Sequence, residues 1–178
     1  MIALYPGKFD PFHNGHLDIV TRARVLFDEV VVAVYANPDA NVLFDSPTRC
    51  ELVHEATKHL PGVSVLDYRG LTVDCARRVG AGVVVRGLRN LADYEFEFQV
   101  GTANRDMVPE VDLCCLFTSS QFSFLSASIL KEVAGLHGDF AKWAPPATVA
   151  ALCTRFDIPE SATSESMALP KSRRSHQD

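Results

Sequence analysis

The sequence predicts an α/β fold, a single doubly wound domain built on a five-stranded parallel sheet. Three observations support this prediction. Short apolar runs alternate with segments of helical spacing along most of the chain, which is the pattern of right-handed βαβ units. The run "EVVVAVY" (29–35) is apolar at consecutive positions, as in a strand that is buried on both faces. At 178 residues, the chain is long enough for one domain with a sizeable core.

Five apolar runs predict the strands of this sheet, and turn-forming residues precede or follow them. The predicted strands cover residues 2–5, 29–35, 63–68, 82–87 and 111–117. Because both faces of such a sheet are covered by helices, its strands are expected to be apolar throughout rather than alternating.

Six segments predict the helices that connect the strands and follow them. They cover residues 16–27, 46–60, 72–80, 90–104, 126–136 and 145–152. In the second, Ser46 is the predicted N-cap and Pro47 the first helical residue, a position at which proline is tolerated. Gly80 is expected to end the third helix, and a serine to cap the start of the fifth.

The domain is predicted to span residues 1–156. The last segment, 157–178, is rich in Ser, Pro, Glu, Lys and Arg and has no apolar periodicity. A segment of this composition cannot bury enough apolar surface to fold, so we expect a disordered C-terminal tail.

Composition excludes several classes of protein. Apolar residues make up 47% of the chain and charged residues 22%, and the net charge of −5 argues against a nucleic-acid partner, since such proteins are usually basic. The five cysteines are odd in number and form no C-x-x-C pair, so we expect buried free thiols. No signal peptide precedes the first strand and no apolar run is long enough for a membrane span, so we expect a cytoplasmic protein that does not bind membranes.

Three polar segments follow predicted strands, at the sheet edge where open parallel sheets bind their ligands. They are "GKFDPFHNGH" (7–16), "VVRGLRN" (84–90) and "SSQFSFLSAS" (119–128). Taken singly, each could be an ordinary loop or a helix cap. Together they bring two arginines, two histidines, a lysine and a serine-rich helix start to one edge, a combination typical of a polyphosphate site.

The first polar segment contains the pattern H-x-G-H, His13 to His16, directly before a predicted helix. Gly15 would let the backbone approach phosphates closely, and the start of the helix adds positive potential. An imidazole in the first turn can stabilise charge on a phosphorus atom under attack. The chain contains neither G-x-x-x-x-G-K-[ST] nor G-x-G-x-x-G, which disfavours a P-loop enzyme and a dinucleotide-dependent dehydrogenase.

These motifs resemble those of the bacterial phosphopantetheine adenylyltransferase family, within the nucleotidylyltransferases that carry H-x-G-H. The resemblance runs from Ile2 to about Leu152 through "YPGKFDPFHNGHLDIVTRA", "RGLRNLADYEFEFQ" and "FSFLSASILKEVA". The pattern RGLR…DYE.E.Q is specific to this family. The resemblance implies a Rossmann-like fold of the nucleotidylyltransferase type.

The family's activity is then expected here as well. It is the transfer of AMP from ATP to 4′-phosphopantetheine, which gives dephospho-coenzyme A and pyrophosphate by in-line attack without a covalent intermediate. A phosphate monoester is already a nucleophile at neutral pH, so alignment and charge stabilisation would do most of the catalysis. The resemblance also implies Mg²⁺ carried by ATP, with no metal site of the protein's own, and a homo-oligomer, specifically a hexamer.

The resemblance assigns site residues by position. His16 is the implied transition-state stabiliser, with Lys8 and Arg89 as further catalytic residues. The implied ATP site consists of Lys8, Phe9, His13, His16, Gly87, Leu88, Arg89, Glu97, Phe122, Ser123, Phe124, Leu125, Ser126, Ala127 and Ser128. The implied acceptor site consists of Lys8, Thr72, Arg86 and Asn104, with Arg86 facing the acceptor's phosphate.

Four positions depart from the family pattern. Lys8 stands where Ser or Thr is usual, His13 where Thr is common, and Ala40 where a phosphate-binding lysine is usual. We predict that Lys8 replaces the missing lysine, since its flexible ammonium could reach the same phosphate from the other side of the site. Alternatively, Lys8 points to solvent, and the acceptor site is weak or takes another acceptor. Ala127 interrupts a serine run and removes one hydroxyl contact.

Two other functions compete with this prediction. One is a nucleotidylyltransferase with a different acceptor, such as nicotinamide mononucleotide, and Lys8 and His13 give it some support. The other is a nucleotide-binding protein that has lost turnover, which is disfavoured by the joint presence of His16, Arg86, Arg89 and Glu97. Product formation from ATP would distinguish these possibilities.

Overall fold

The structure is a computed structural model that describes residues 1–36 and 41–159. In this part of the chain the strands are β1 Ile2–Gly7, β2 Glu29–Tyr35, β3 Val63–Tyr68, β4 Val83–Leu88 and β5 Asp112–Phe117. The α-helices are α1 Asn14–Leu26, α2 Ser46–Thr57, α3 Thr72–Val79, α4 Leu91–Met107, α5 Ala127–Gly135 and α6 Pro146–Phe156. Every predicted strand and helix corresponds to one of these elements, in the predicted order.

The five strands form one parallel sheet in the order β3-β2-β1-β4-β5. The chain runs outward from β1 to β3, then crosses back to β4 on the other side of β1, so the order reverses between β1 and β4. Helices cover both faces, since α1 and α2 pack on one face and α3 with the end of α4 on the other. The predicted doubly wound α/β fold is therefore confirmed.

Strand pairing is uneven across the point where the order reverses. β1 pairs with β2 from Ile2 to Gly7, whereas β1 and β4 pair only at Ala3 with Val83 and at Leu4 with Val84. The carboxyl halves of β1 and β4 therefore separate. A crevice opens between them, at the place where ligands of open α/β sheets bind.

Three predictions about helix ends are corrected, namely Ser46 as the N-cap of α2, Pro47 as its first residue and Leu152 as the end of the last helix. The N-cap of α2 is Asp45 and not Ser46, because the Asp45 carboxylate accepts a hydrogen bond from Thr48 N at 3.0 Å. An aspartate also stabilises the positive end of the helix, and Ser46 becomes its first residue. The last helix continues to Phe156, beyond the predicted end at Leu152.

Two other predicted helix ends are confirmed. Gly80 ends α3 in the left-handed conformation (φ 71°), which glycine adopts without steric cost. Ser126 caps α5, since its hydroxyl accepts a hydrogen bond from Ile129 N at 3.2 Å.

No disulfide links the five cysteines, all of which fall in the described part of the chain. Within residues 1–36 and 41–159, none of the helices combines the length and apolarity that a membrane crossing requires. The chain is described up to Pro159, so most of the predicted tail, like Ala40, lies outside the described residues.

Candidate active site

A cavity of about 450 Å³ lies in the crevice between β1 and β4. Its walls come from the loop after β1, the end of β4, the start of α5 and the segment before α2. The predicted site residues that line it are Lys8, Phe9, His13, His16, Arg86, Gly87, Arg89, Glu97, Leu125, Ser126, Ala127 and Ser128. Residues separated by more than 100 positions in the chain therefore meet at one site.

A smaller cavity of about 120 Å³ adjoins the first and shares Pro6, Arg86 and Glu97 with it. Thr72 and Asn104, both predicted acceptor-site residues, lie in its lining. The remaining walls are mostly apolar and include residues of α4 and β5.

Some predicted site residues line neither cavity. Leu88 is buried in the core, and Phe122, Ser123 and Phe124 lie in the turn that precedes α5. The ring of Phe124 packs edge-on against Trp143, with centroids 5.4 Å apart. The backbone of this turn supports the start of α5, which does line the large cavity.

The H-x-G-H motif forms the start of α1. His13 occupies the N-cap position with an extended backbone, and His16 lies in the first turn. The backbone N–H of His13 donates to His16 Nδ1 at 3.2 Å, and the two imidazole rings stack with centroids 3.6 Å apart. Because Nδ1 of His16 accepts this hydrogen bond, the proton of the neutral ring resides on Nε2, which is then a donor.

Both histidines are held in the neutral state. Burial, together with the neighbouring His13 and the guanidiniums of Arg89 and Arg86, holds the pKa of His16 well below its usual range. Burial, assisted by Arg89, lowers the pKa of His13 to about 3. His13 Nδ1 is buried and has no hydrogen-bond partner among the described residues.

Two arginines at the end of β4 are each held by an acidic residue of α4. Arg86 Nη2 pairs with Glu97, and Arg86 Nη1 donates to Pro6 O at 2.8 Å, which bridges the gap between β4 and β1. Burial disfavours the charged form of Arg86, but the Glu97 carboxylate outweighs this effect and raises the pKa of the guanidinium. Arg89 makes a two-point contact with Asp93, at 3.0 and 3.1 Å.

These ion pairs orient the arginines before any ligand binds. Asp93 and Glu97 are four residues apart on α4 and therefore share one face of the helix. Partial burial raises the pKa of the Asp93 carboxyl, and the hydrogen bonds from Arg89 more than reverse this effect, so the pKa is lowered. The Glu97 carboxylate points at Arg86, and its predicted contact with ATP remains a prediction.

The structure adds site residues that the sequence analysis missed, among them the charged pair Asp10 and Lys131. Lys131 Nζ lies 2.9 Å from the carboxylate of Asp10, which also accepts hydrogen bonds from the backbone N–H groups of Leu43 (2.8 Å) and Phe44 (3.0 Å). Lys131 follows Ser128 by one helical turn, so the two side chains lie on the same face of α5. This spacing is a sequence signal that could have identified Lys131 as a site residue.

Lys8 is exposed, and its residue contributes to the wall of the large cavity. It forms no ion pair within the described residues. We predicted that Lys8 replaces the lysine that is absent at Ala40. Because Ala40 lies outside the described residues, this replacement remains a prediction. Asn41 and Val42, just after that position, line the same cavity.

No group of three or more His, Cys, Asp or Glu side chains suited to a metal ion occurs among residues 1–36 and 41–159. The buried carboxylate of Asp10, in the loop after β1, is already bound by two amides and an ammonium.

A family model described as cytidylyltransferase-like matches residues 4–133. A phosphopantetheine adenylyltransferase of Thermomicrobium roseum is 46% identical over 157 residues, which covers 86% of this chain and 94% of that protein. Another of that name, from Roseiflexus sp. (strain RS-1), is 45% identical over 151 residues, which covers 85% of this chain and 94% of that protein.

A solved structure shares the fold at lower identity. It is a Vibrio parahaemolyticus protein assigned as a nicotinate-nucleotide adenylyltransferase, with a TM-score of 0.65 and 20% identity over 86% of this chain and 91% of that one. At this identity the likeness concerns the fold alone, which agrees with the Rossmann-like architecture. The extent and identity of the sequence matches show that this chain belongs to the phosphopantetheine adenylyltransferase family of cytidylyltransferase-like proteins.

Proposed function

We propose that this protein is an enzyme that transfers the adenylyl group of ATP to 4′-phosphopantetheine, which yields dephospho-coenzyme A and pyrophosphate. One observation carries the proposal. A neutral histidine donor, two oriented arginines and the start of α5 face a single cavity at the point where the strand order reverses. Such a cavity suits a nucleoside triphosphate, and the relatives named phosphopantetheine adenylyltransferase support the acceptor.

The reaction needs no base and no covalent intermediate. An oxygen of the acceptor's phosphate forms a bond to the α-phosphorus of ATP, the bond between that phosphorus and the bridging oxygen to the β-phosphorus breaks, and pyrophosphate leaves with the electron pair. The protein's contribution is alignment of the two oxygens and stabilisation of the charge that develops between them.

His16 supplies a neutral N–H donor for that charge. Its Nδ1 is occupied by the backbone N–H of His13, so Nε2–H is the available donor. The low pKa keeps this tautomer populated at neutral pH without a proton-transfer step. Arg89 is already oriented by Asp93, so it can bind phosphate oxygens without a rotamer search.

The smaller cavity is proposed to take the acceptor. Thr72 and Asn104 offer a hydroxyl and an amide, and Phe96 and Val100 offer apolar surface. An acceptor with an amide-containing arm and a terminal phosphate fits this mixture. Arg86 lines both cavities, so we place the acceptor's phosphate beside it, next to the proposed position of the α-phosphate.

Two lysines can bind the remaining phosphate charge. Lys8 has no ion-pair partner among the described residues, and Lys131 is shared with Asp10. We propose that Lys8 replaces the lysine that is absent at Ala40. A comparison of Lys8→Ala with Lys8→Ala/Ala40→Lys tests this: we expect a raised KM for the acceptor in the first variant and recovery in the second. Full activity of the single variant, or no recovery in the double variant, would contradict the replacement.

Mg²⁺ is proposed to bind with ATP, held mainly by its phosphate oxygens. When bound, the ion neutralises phosphate charge. Activity is measured as total Mg²⁺ is varied at a fixed ATP concentration. We expect the activity to follow the concentration of the Mg–ATP complex.

We also propose that the protein is a homo-oligomer, a hexamer as the family resemblance implies. Leu91, Tyr94 and Phe98 form an exposed apolar strip on α4, and Leu91 and Phe98 are 71% and 60% exposed. Their spacing of three and four residues places them on one helix face, and a contiguous exposed apolar strip of this kind marks an interaction surface. A cytoplasmic location and the lack of nucleic-acid and membrane partners remain expectations from the sequence.

Pyrophosphate release from Mg–ATP tests the proposed reaction directly. The purified protein is offered 4′-phosphopantetheine and, in parallel, nicotinamide mononucleotide. We expect release with phosphopantetheine only, together with dephospho-coenzyme A of the correct mass. Release with the mononucleotide alone would show a changed acceptor, and ATP binding without release in either case would show a protein that has lost turnover.

A further inference from the structure

Arg49 is a buried arginine that lies behind the wall of the large cavity. It belongs to the first turns of α2, and only 2% of its surface is exposed. Its guanidinium donates to three backbone carbonyls, those of Phe44 (3.0 Å), Lys8 (2.5 Å) and Tyr35 (2.9 Å).

The position of Arg49 is unfavourable for a cation by two general rules. A buried charge loses its hydration, and a cation near the start of a helix opposes the helix dipole. No carboxylate among the described residues forms an ion pair with Arg49 to offset these costs. Residues that break local rules in this way often serve a site rather than the core.

The three carbonyls belong to three segments, two of which, the loop after β1 and the segment before α2, line the large cavity. Lys8 lies in the loop after β1, Tyr35 ends β2, and Phe44 lies just before α2. Two further hydrogen bonds join the loop after β1 to the segment before α2. In these bonds the backbone N–H groups of Leu43 and Phe44 donate to the carboxylate of Asp10. A planar guanidinium presents its N–H donors to the three carbonyls in fixed directions, whereas a lysine ammonium carries rotatable donors on a shorter, flexible stem.

The bond to the Lys8 carbonyl lies next to a strained residue. Phe9 has a φ of 48°, a left-handed conformation that is unfavourable for a bulky side chain and persists only where its surroundings impose it. In this conformation the Phe9 ring lies edge-on to the imidazole of His16, with centroids 5.0 Å apart and an interplanar angle of 89°. The ring therefore forms part of the packing that holds His16 in place.

We propose that Arg49 is a positioning residue for the adenylyl transfer. By holding the Lys8 carbonyl, Arg49 maintains the left-handed turn at Phe9. Through that turn it fixes the positions of the His16 ring and of the Lys8 backbone relative to the end of β4 and the start of α5, which form the other walls of the large cavity. The proposal rests on the proposed function. It assigns a role in the reaction to a residue that touches neither cavity.

The test compares Arg49→Met and Arg49→Lys with a matched control, Arg24→Met. Arg24 is half-buried and likewise donates to backbone carbonyls, those of Phe27 and Pro61, but it lies at the amino ends of β2 and β3, away from the site. All assays are run at a temperature at which each variant is folded by circular dichroism.

We expect Arg49→Met to lower kcat/KM about 100-fold, the size of effect that a misplacement of about 1 Å in a catalytic group produces. Arg24→Met should stay within about threefold of the wild type. The kcat/KM of Arg49→Lys should lie between those of the two methionine variants, because lysine keeps the charge but cannot reach all three carbonyls. This variant also keeps the proposal testable if Arg49→Met does not fold. The NMR chemical shifts of the His16 ring protons can be assigned by their absence in His16→Asn. Because the ring current of Phe9 acts on these protons, their shifts should change in the Arg49 variants but not in Arg24→Met.

Two results would overturn the proposal. One is equal loss of activity in the folded Arg49 and Arg24 variants, which would indicate a general effect on the fold. The other is unchanged kcat/KM in Arg49→Met. If the wild type binds ATP but makes no product, the proposed function fails separately. Arg49 is then judged by the His16 shifts, and unchanged shifts in its variants refute the positioning role.

Discussion

Acidification between pH 7.5 and pH 4.5 should destabilise this protein through the paired histidines at the start of α1. His13 is 4% exposed and stacks on His16 at 3.6 Å, so a charge on either ring would be poorly solvated and close to the other. Burial is the main reason for the low pKa of both side chains, about 3 for His13 and well below the usual range for His16.

The sign and size of the effect follow from proton linkage. A histidine whose pKa is lowered on folding stabilises the folded state above the unfolded pKa, and this contribution is lost as the pH falls below it. For His13 the two values are about 3 folded and 6.5 unfolded. Each pH unit in this window corresponds to about 1.4 kcal/mol, so His13 alone should lower the free energy of unfolding by about 2.7 kcal/mol between pH 7.5 and pH 4.5. His16 acts in the same direction.

Urea denaturation followed by circular dichroism at pH 7.5, 6.5, 5.5 and 4.5 measures this effect, with His13→Asn as the comparison. Asparagine is a favoured N-cap residue and does not titrate, so this variant should keep α1 while removing one of the two buried imidazoles. We expect the free energy of unfolding to fall less steeply with decreasing pH in the variant, by about 1 kcal/mol per pH unit below pH 6.

Parallel pH profiles of the wild type and His13→Asn would refute this reasoning. Such a result would mean that His13 keeps an ordinary pKa in the folded protein and that its environment admits a charged ring. A second check is His16→Asn, whose profile should flatten in the same way. Carboxylates titrate in both proteins, so the difference between profiles removes their contribution.

Three further outcomes are expected. His16→Asn should lower kcat about 10²–10³-fold, the usual loss when one donor to developing charge is removed, while calorimetry shows a nearly unchanged ATP Kd. Lys131→Met should raise the ATP Kd and lower the free energy of urea unfolding by at most about 3 kcal/mol, because Asp10 loses its ammonium partner but keeps two amide donors. Phe98→Glu should lower the molar mass measured by light scattering, whereas Val25→Glu, at an exposed position on α1, should not. An unchanged ATP Kd and an unchanged unfolding free energy in Lys131→Met would contradict the role given to Lys131. Equal molar masses of Phe98→Glu and Val25→Glu would contradict the interface on α4.

The elements of the fold were largely predictable because their signals are local. Apolar runs bounded by turn residues placed all five strands, and Gly80 and Ser126 correctly marked helix ends. The N-cap of α2 was misplaced by one residue because Asp45 and Ser46 are both good caps, and only the direction of the Asp45 side chain distinguishes them.

The partners of the site residues were less predictable because they are distant in the chain. Lys131 meets Asp10 across 121 positions, and the ion pair of Arg86 with Glu97 joins a strand end to the middle of a helix. Sequence analysis identified Arg86 and Glu97 as cavity residues but expected each to face a ligand rather than the other. Arg49 gave no signal, since an arginine in the first turns of a helix is usually a solvated surface residue.

The sequence by itself determined the order of strands and helices, the place of the histidine motif at the start of a helix, and the family to which the chain belongs. These depend on local propensities and on the identity of residues at fixed spacing. The tertiary structure decided where β1 and β4 separate, which acidic residues hold the arginines, and which nitrogen of His16 carries the proton. These depend on how the strands pair and on contacts across the sheet, and such distances arise only when the chain is folded.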